Sequence, residues 1–451
     1  MVAISDVTSK PIVVISCPPV PGHVNPLLVQ AAHLNKQGHE VHFIAGPESE
    51  DSICKTGAIF YPVQTAWTDE KFKQMLSIPE GPEQFVFGLK KNFIDLTPNA
   101  SKALKGVLEN LRERYGTTRD IVILQETFGM GTLPFSLGAP LPKGYTEFPK
   151  VLSLRTVPLA VSSIDTAPFG PGFPPDSSEE GRARNAAMYE AGKLLWADVA
   201  EYANNICEEL GATAKIEGPI LDFFFTLENA VLQPCSPSLD YPRSDLPKNT
   251  RFIGAPPKKE IDPETTQFPE WWDELIAAKK EGKKVVFVTQ GTFLLDYNML
   301  LKPTIEALAD REDVFVVGVL GQQGATLDRV DLPRNTKIAD YLPYDAILPY
   351  ADVFVSNAGY GGFLHSVMHG VPMVLAGRGQ DKAEVSMRGE WAGIALNLKT
   401  DTPSVVALRD GINKVLGNSS YKARCVQIQR ENEELGNLAQ VEKAILEFAR
   451  A

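Results

Sequence analysis

A histidine set between an apolar run and a helix-forming stretch is the first group in this chain suited to proton transfer. His23 lies in PVPGHVNP, directly after PIVVISCP, with Gly22 before it and Asn25 two residues on. An imidazole titrating near neutrality is a good general base. It works better with a carboxylate behind it to set the tautomer and stabilise the imidazolium. Glu126, which follows the apolar run IVILQ, is the first candidate for that carboxylate; Asp120, ahead of the run, is the weaker one. A packed histidine and a solvated loop glutamate are the ordinary alternatives for these two residues.

The second chemical signal is the stretch 352–382, DVFVSNAGYGGFLHSVMHGVPMVLAGRGQDK. It predicts a strand (Asp352–Ser356), a turn (Asn357–Gly362), a short helix (Phe363–His369), a strand (Pro372–Ala376) and a polar loop. Gly359, Gly361 and Gly362, with Asn357 and Tyr360 among them, let backbone N–H groups approach a ligand at the positive end of the helix. That is a cradle for an anion such as phosphate. Two more strand-end loops converge on it. Gln290-Gly291-Thr292 ends VVFVT with donors, and Tyr341-Leu342-Pro343-Tyr344 ends KIAD with an aromatic face on which a base can stack. Phosphate plus base means a nucleotide. No GxGxxG follows the first strand and no GxxxxGK[ST] occurs, which argues against nicotinamide, flavin and P-loop chemistry.

The elements that must position these residues follow from the same text. PIVVISCP and HEVHFIAGP read as buried strands around a helix, LLVQAAHLNKQ, with Asn25 as its cap and Pro26 as its first residue. Residues 66–115 are predicted helical, IVILQ and VLSLRTVP are strands, and 181–210 is a helix. Between the last two, residues 164–180 form a Pro/Gly-rich excursion of the length that is usually functional. The βαβ rhythm restarts at KVVFVTQGT after a proline-rich passage. The expected division is a first Rossmann-like domain (1–240), a linker (241–280), a nucleotide domain (281–430) and a terminal helix (431–451). The fold class is α/β, with two Rossmann-like parallel sheets facing a cleft and ligands at strand carboxyl ends.

Composition bounds the class. The chain has 451 residues, too many for one ordinary core, with 44% hydrophobic and 22% charged residues and a net charge of −12. That charge argues against a nucleic-acid footprint. Five dispersed cysteines without a CxxC pair suggest reduced thiols in a cytoplasmic protein and no zinc site. No apolar run approaches a membrane span.

The ordered motifs GHVNPLL, FVTQGT, YLPYDAILPYADVFVSNAGYGG, HGVPMV and QDKAEV resemble the family-one nucleotide-sugar glycosyltransferases, in particular the microbial macrolide- and sterol-glucosyltransferase-like members. The resemblance covers nearly the whole chain. It implies a GT-B fold, with acceptor on the first half, UDP-sugar on the second, and a last helix crossing back to the first domain. His23 becomes the base that deprotonates an acceptor hydroxyl, and Glu126 stands where the family has an aspartate. Tyr341 falls at the base-stacking position, Gln290–Thr292 and Gly359–Gly362 at the diphosphate, and Asp381 with Lys382 at the sugar hydroxyls. Asn357 stands where a histidine is common. His365 stands where many members hold the ribose with a glutamate, which leaves a thymidine nucleotide open beside uridine; His365 and His369 also have a plain packing role open to them.

The reading that results is an inverting hexosyl transfer, with glucose expected, needing no cofactor beyond the UDP-sugar and no metal. Phe85, Phe93, Phe128 and Phe169, in irregular segments of the first half, suit a lipophilic or phenolic acceptor attacked through oxygen or ring carbon. A nucleotide-sugar 2-epimerase of the same architecture and a non-catalytic auxiliary protein are the competing readings.

Overall fold

Short apolar runs bounded by glycine and proline can be buried on both faces only if helices cover both sides of a sheet. The computed structural model, described here for residues 10–449 except 80, 293 and 328–330, shows this twice. In the first half, β1 (Ile12–Ser16), β2 (Val41–Ala45), β3 (Ile59–Pro62), β4 (Ile121–Glu126), β5 (Lys150–Leu154), β6 (Ala230–Gln233) and β7 (Thr250–Phe252) form a sheet of order β3-β2-β1-β4-β5-β6-β7. In the second, β8 (Lys284–Thr289), β9 (Val314–Val319), β10 (Thr336–Ala339), β11 (Val353–Ser356), β12 (Met373–Leu375) and β13 (Ala395–Asn397) form β10-β9-β8-β11-β12-β13. Every pairing is parallel.

Strand alternation sorts the core. Val13 and Ile15 pack under the helix Pro21–Lys36, through Val24, Leu27, Ala31 and Leu34; Ile12 and Val14 face the helix Thr97–Tyr115, through Leu104, Val107, Leu108 and Leu111. In the second sheet Val285 and Phe287 point to one core, Val286 and Val288 to the other. Among the described residues no helix is long and apolar enough to cross a membrane.

Three boundaries differ from the sequence expectation. The helix after β1 begins at Pro21, not Pro26: Val20 is its cap residue, and the His23 N–H already donates to the Val20 carbonyl at 2.9 Å. Pro21 suits a first turn, where no N–H partner exists; Pro26 lies inside the helix and leaves the Gly22 carbonyl without its helical donor. The helix after β11 starts at Tyr360, so Gly361 and Gly362 are helical and the true turn is Asn357–Gly359. Its left-handed residue is Ala358, at φ 63°, not a glycine.

The expected linker 241–280 is also structured. It holds β7, the edge strand of the first sheet, and the helix Trp272–Lys280, whose Leu275 and Ala278 enter the second core. Prolines there punctuate an edge strand, where missing donors are tolerated. At the other end the helix Asn437–Ala449, after a turn at Gly436 (φ 71°), buries Val441, Ala444 and Ile445 in the first domain's core.

Candidate active site

The strand order reverses direction between β1 and β4, and that switch point opens a crevice at the strand ends. Ser16 pairs with Gln125, so the next residue of β4, Glu126, faces the turn leading to His23. His23 Nδ1 lies 2.8 Å from Glu126 Oε1. The Glu126 carboxylate, 0% exposed, accepts in addition from the Thr156 hydroxyl on Oε1 and, at 2.8 Å, from the Phe128 N–H on Oε2. Burial by itself raises the Glu126 pKa, but the charge and hydrogen bond of His23, with the Thr156 and Phe128 donors, outweigh it and hold the group below its ordinary value. An ionised Glu126 takes Nδ1–H as donor, which leaves Nε2 as the basic nitrogen. Burial lowers the His23 pKa; the Glu126 charge and hydrogen bond and the more distant Asp381 charge reverse this, and the net shift is upward.

The rings around this dyad are apolar. Phe93 and Phe128 stack at 4.5 Å and stand 5.4 and 5.7 Å from the His23 ring. Phe85 and Phe169 pack against the same cluster, which includes Phe224. Gly129 lets the loop after β4 press down beside β1: a Cβ there would lie 2.8 Å from the Ser16 carbonyl oxygen. Thr156 is not among the residues expected from the sequence. Its position two residues past the end of β5 is the same strand-end signal that identified Glu126.

The second sheet repeats the arrangement, its switch point lying between β8 and β11. Ser356 pairs with Thr289, so Asn357 and Gln290 emerge side by side, and Asn357 Nδ2 donates to the Gln290 carbonyl at 2.6 Å. The helix Tyr360–Met368 starts here, and a Cβ on Gly361 would meet open space. Asp381 and Lys382 open the helix Lys382–Trp391. Burial raises the Asp381 carboxyl above its usual range, with Lys382 opposing, and its charge reaches His23 across the domains.

The family profile "Erythromycin biosynthesis protein CIII-like, C-terminal domain" matches residues 303–447. The chain is 40% identical over 439 residues to UDP-glucosyltransferase 1 of Beauveria bassiana (strain ARSEF 2860), covering 96% of this chain and 94% of that one. It belongs to the UDP-glycosyltransferases. UDP-glycosyltransferase 2 of Phaeomoniella chlamydospora is 34% identical over 456 residues, covering 98% and 97% of the two chains. The crystal structure of the glycotransferase of kitacinnamycin shares the fold, with a TM-score of 0.70 at 19% identity over 98% of this chain and 99% of that one. The fold is GT-B, the enzyme a microbial-type family-one UDP-glycosyltransferase.

Within this glycosyltransferase the residues expected on the donor side divide. Tyr341 is 45% exposed at its strand end, and Thr292 is exposed. Gln290 instead turns inward: Nε2 donates to the Asp296 carbonyl at 2.9 Å and Oε1 accepts from the Leu301 N–H at 3.0 Å, so its side chain shapes the loop. The Gly291 N–H donates to Thr289 Oγ1 at 3.3 Å. Leu342 is core, and Tyr360 is buried with its hydroxyl accepting from Gln233 Nε2 of the first domain at 2.9 Å. Gly362 serves packing, because a Cβ would lie 3.0 Å from Tyr344 Oη; a Cβ on Gly359 would find only Asn357 Oδ1, at 3.9 Å. His365 stacks on Tyr344 at 5.3 Å with Nδ1 3.5 Å from Asp345, which His369 Nε2 also approaches at 2.8 Å.

Proposed function

We propose that this enzyme is an inverting glucosyltransferase acting on a hydroxyl of a lipophilic or aromatic small molecule, with His23 as general base. The observation that carries the reading is the His23–Glu126 dyad, walled by Phe93 and Phe128 and facing the Asp381 carboxylate of the donor domain. Nε2 takes the acceptor proton as the oxygen attacks the anomeric carbon; the bond to the diphosphate breaks on the far side, and UDP leaves. Charge developing on the diphosphate falls at the N-terminus of the helix Tyr360–Met368, beside Gly359 and Gly361, where the dipole and free amides favour it. No metal is assigned a role. Tyr341 stacks the uracil, His365 lies toward the ribose, and Asp381 with Lys382 holds sugar hydroxyls. The name of the Beauveria bassiana relative supports glucose as the sugar. Five unpaired cysteines support a reducing, cytoplasmic setting. The epimerase and auxiliary-protein readings gain no support, since neither uses an aromatic wall beside an intact base.

A panel of phenols (4-nitrophenol, 4-methylumbelliferone, quercetin) with UDP-glucose, followed by mass spectrometry and UDP release, tests the activity. His23→Ala is expected to lose at least about 10²-fold in turnover, the low end of what a positioned base supplies, while UDP binding measured by calorimetry persists. Wild-type turnover in that variant would remove His23 from the mechanism.

A further inference from the structure

The Pro/Gly-rich excursion after β5 is a bridge between the domains. The Asp176 N–H donates to the Asp165 carbonyl at 2.9 Å, pinching residues 165–176 into a compact loop of the Ω kind. Its base is pinned on the first domain: Asp165 Oδ2 accepts from the Ser244 N–H and hydroxyl, both at 2.7 Å, and Oδ1 from Arg182 at 2.7 Å. Its tip crosses to the donor domain. The Gly170 and Gly172 N–H groups both donate to Glu384 Oε1, at 2.8 and 2.9 Å. Gly172 is at φ 67°, and a Cβ there would lie 2.6 Å from the Ala383 carbonyl oxygen, so the tip is shaped to this seat. Glu384 is itself buried, and its Oε2 accepts from Arg388 at 2.8 Å.

The placement of Glu384 joins two halves of one reaction. It lies in the first turn of the helix that Asp381 and Lys382 begin, three residues from the carboxylate whose charge reaches His23. The loop residue immediately before Gly170 is Phe169, which packs on the same cluster as Phe93 and Phe85. We propose that Glu384 is a positioning residue that couples the two substrates: by clamping Gly170 and Gly172 to the sugar-binding helix it sets Phe169 in the acceptor wall, so that donor and acceptor bind with positive coupling. This rests on the donor and acceptor assignments above. Linkage makes the coupling reciprocal.

The primary test is independent of turnover. Hydrogen–deuterium exchange of the segment 164–176 is followed in the full chain with and without UDP-glucose. Protection that increases with UDP-glucose in the wild type and is lost in Glu384→Ala is expected; protection indifferent to either the ligand or the substitution overturns the proposal. Because Glu384→Ala also strips a partner from Arg388, Gly172→Ala attacks the same contact from the loop side and leaves the Glu384–Arg388 pair intact. Both variants are expected to raise the KM of the phenolic acceptor at saturating UDP-glucose and the KM of UDP-glucose at saturating acceptor by a similar factor of about ten, the scale of lost hydrogen bonds to a charged group, while UDP-glucose binding to the acceptor-free enzyme, measured by calorimetry, changes less than about twofold. Their double variant is expected to be no worse than the poorer single one, and Glu384→Gln, which keeps an acceptor oxygen, to recover part of the loss. A rise confined to one substrate, an equal loss of UDP-glucose binding without acceptor, or additive effects in the double variant overturn the proposal. A full-strength His23→Ala would remove the assigned base without touching the exchange result, so the two readings fail separately.

Discussion

At the scale of single residues the dyad works because a buried carboxylate is satisfied from three sides. Thr156, the Phe128 N–H and His23 Nδ1 all reach Glu126, and none of those donors requires the imidazole to be charged. The cost of burying the carboxylate is offset by these bonds, and its charge in return raises the His23 pKa above 6.5. In the proposed mechanism the unprotonated form is the base, so kcat/KM is expected to fall as pH drops through that raised value. Folding stability runs the other way: a raised histidine pKa contributes fully below its unfolded value of 6.5 and loses the contribution as pH rises through the folded one. Glu126→Gln removes the charge, and two results are expected. Turnover falls by about 10–100-fold, part of the 10²–10⁴ a positioned base supplies, and the acid limb of the pH–rate profile moves to lower pH. A limb that stays in place would show that Glu126 does not set the His23 titration.

At the scale of elements the proposed donor site is a contact between loops that only small residues permit. Asn357 and Gln290 leave adjacent strands together, and the chain returning from β12 passes over them at Gly377. A Cβ on Gly377 would stand 2.3 Å from the Asn357 carbonyl oxygen and 2.9 Å from Lys382 Cβ. The first neighbour is backbone and cannot rotate away. Gly377→Ala is therefore expected to destabilise the donor domain by about 1–3 kcal/mol, as overpacking does, and to weaken UDP binding by shifting the Asn357 turn and the Lys382 helix together. Calorimetric titration with UDP and a thermal melt check both. Ala358 holds the left-handed conformation in that turn without glycine's freedom, and full burial surrounds it; strain of this kind gathers at functional turns.

At the scale of the molecule the chain ends where it began. The last helix leaves the second domain at Gly436 and completes the core of the first, where Ile445 is fully buried. Gln30 Nε2 donates to Asn437 Oδ1 at 2.6 Å and Asn437 Nδ2 to the Gly254 carbonyl at 2.6 Å, locking the crossing point. Ile445→Ala is expected to cost about 2–5 kcal/mol in the first domain, the usual range for emptying a buried aliphatic site. Denaturant unfolding monitored separately for each domain should show the loss there and leave UDP binding nearly unchanged.

Much of this was legible before any coordinates, because it rests on local rules. Continuous apolar runs such as IVVIS and VVFVT declare strands buried on both faces, and β1, β4, β8 and β11 stand where they were expected. Strand-end loops then point to His23, Glu126 and the Asn357 turn, since parallel sheets place ligands at one edge. The two edge strands of the first sheet were silent: β3 is half exposed and β7 lies among prolines, so neither carries a buried run. Side-chain direction was silent too. Gln290 and Tyr360 sit in the right loops, yet one turns inward to its own loop and the other across to Gln233. The bridge from Gly170 and Gly172 to Glu384 joins residues more than two hundred positions apart. Sequence determined which loops surround the cleft, because periodicity and turn chemistry are local. Only the tertiary structure decided which atoms in those loops meet, because partners distant in the chain are chosen by packing.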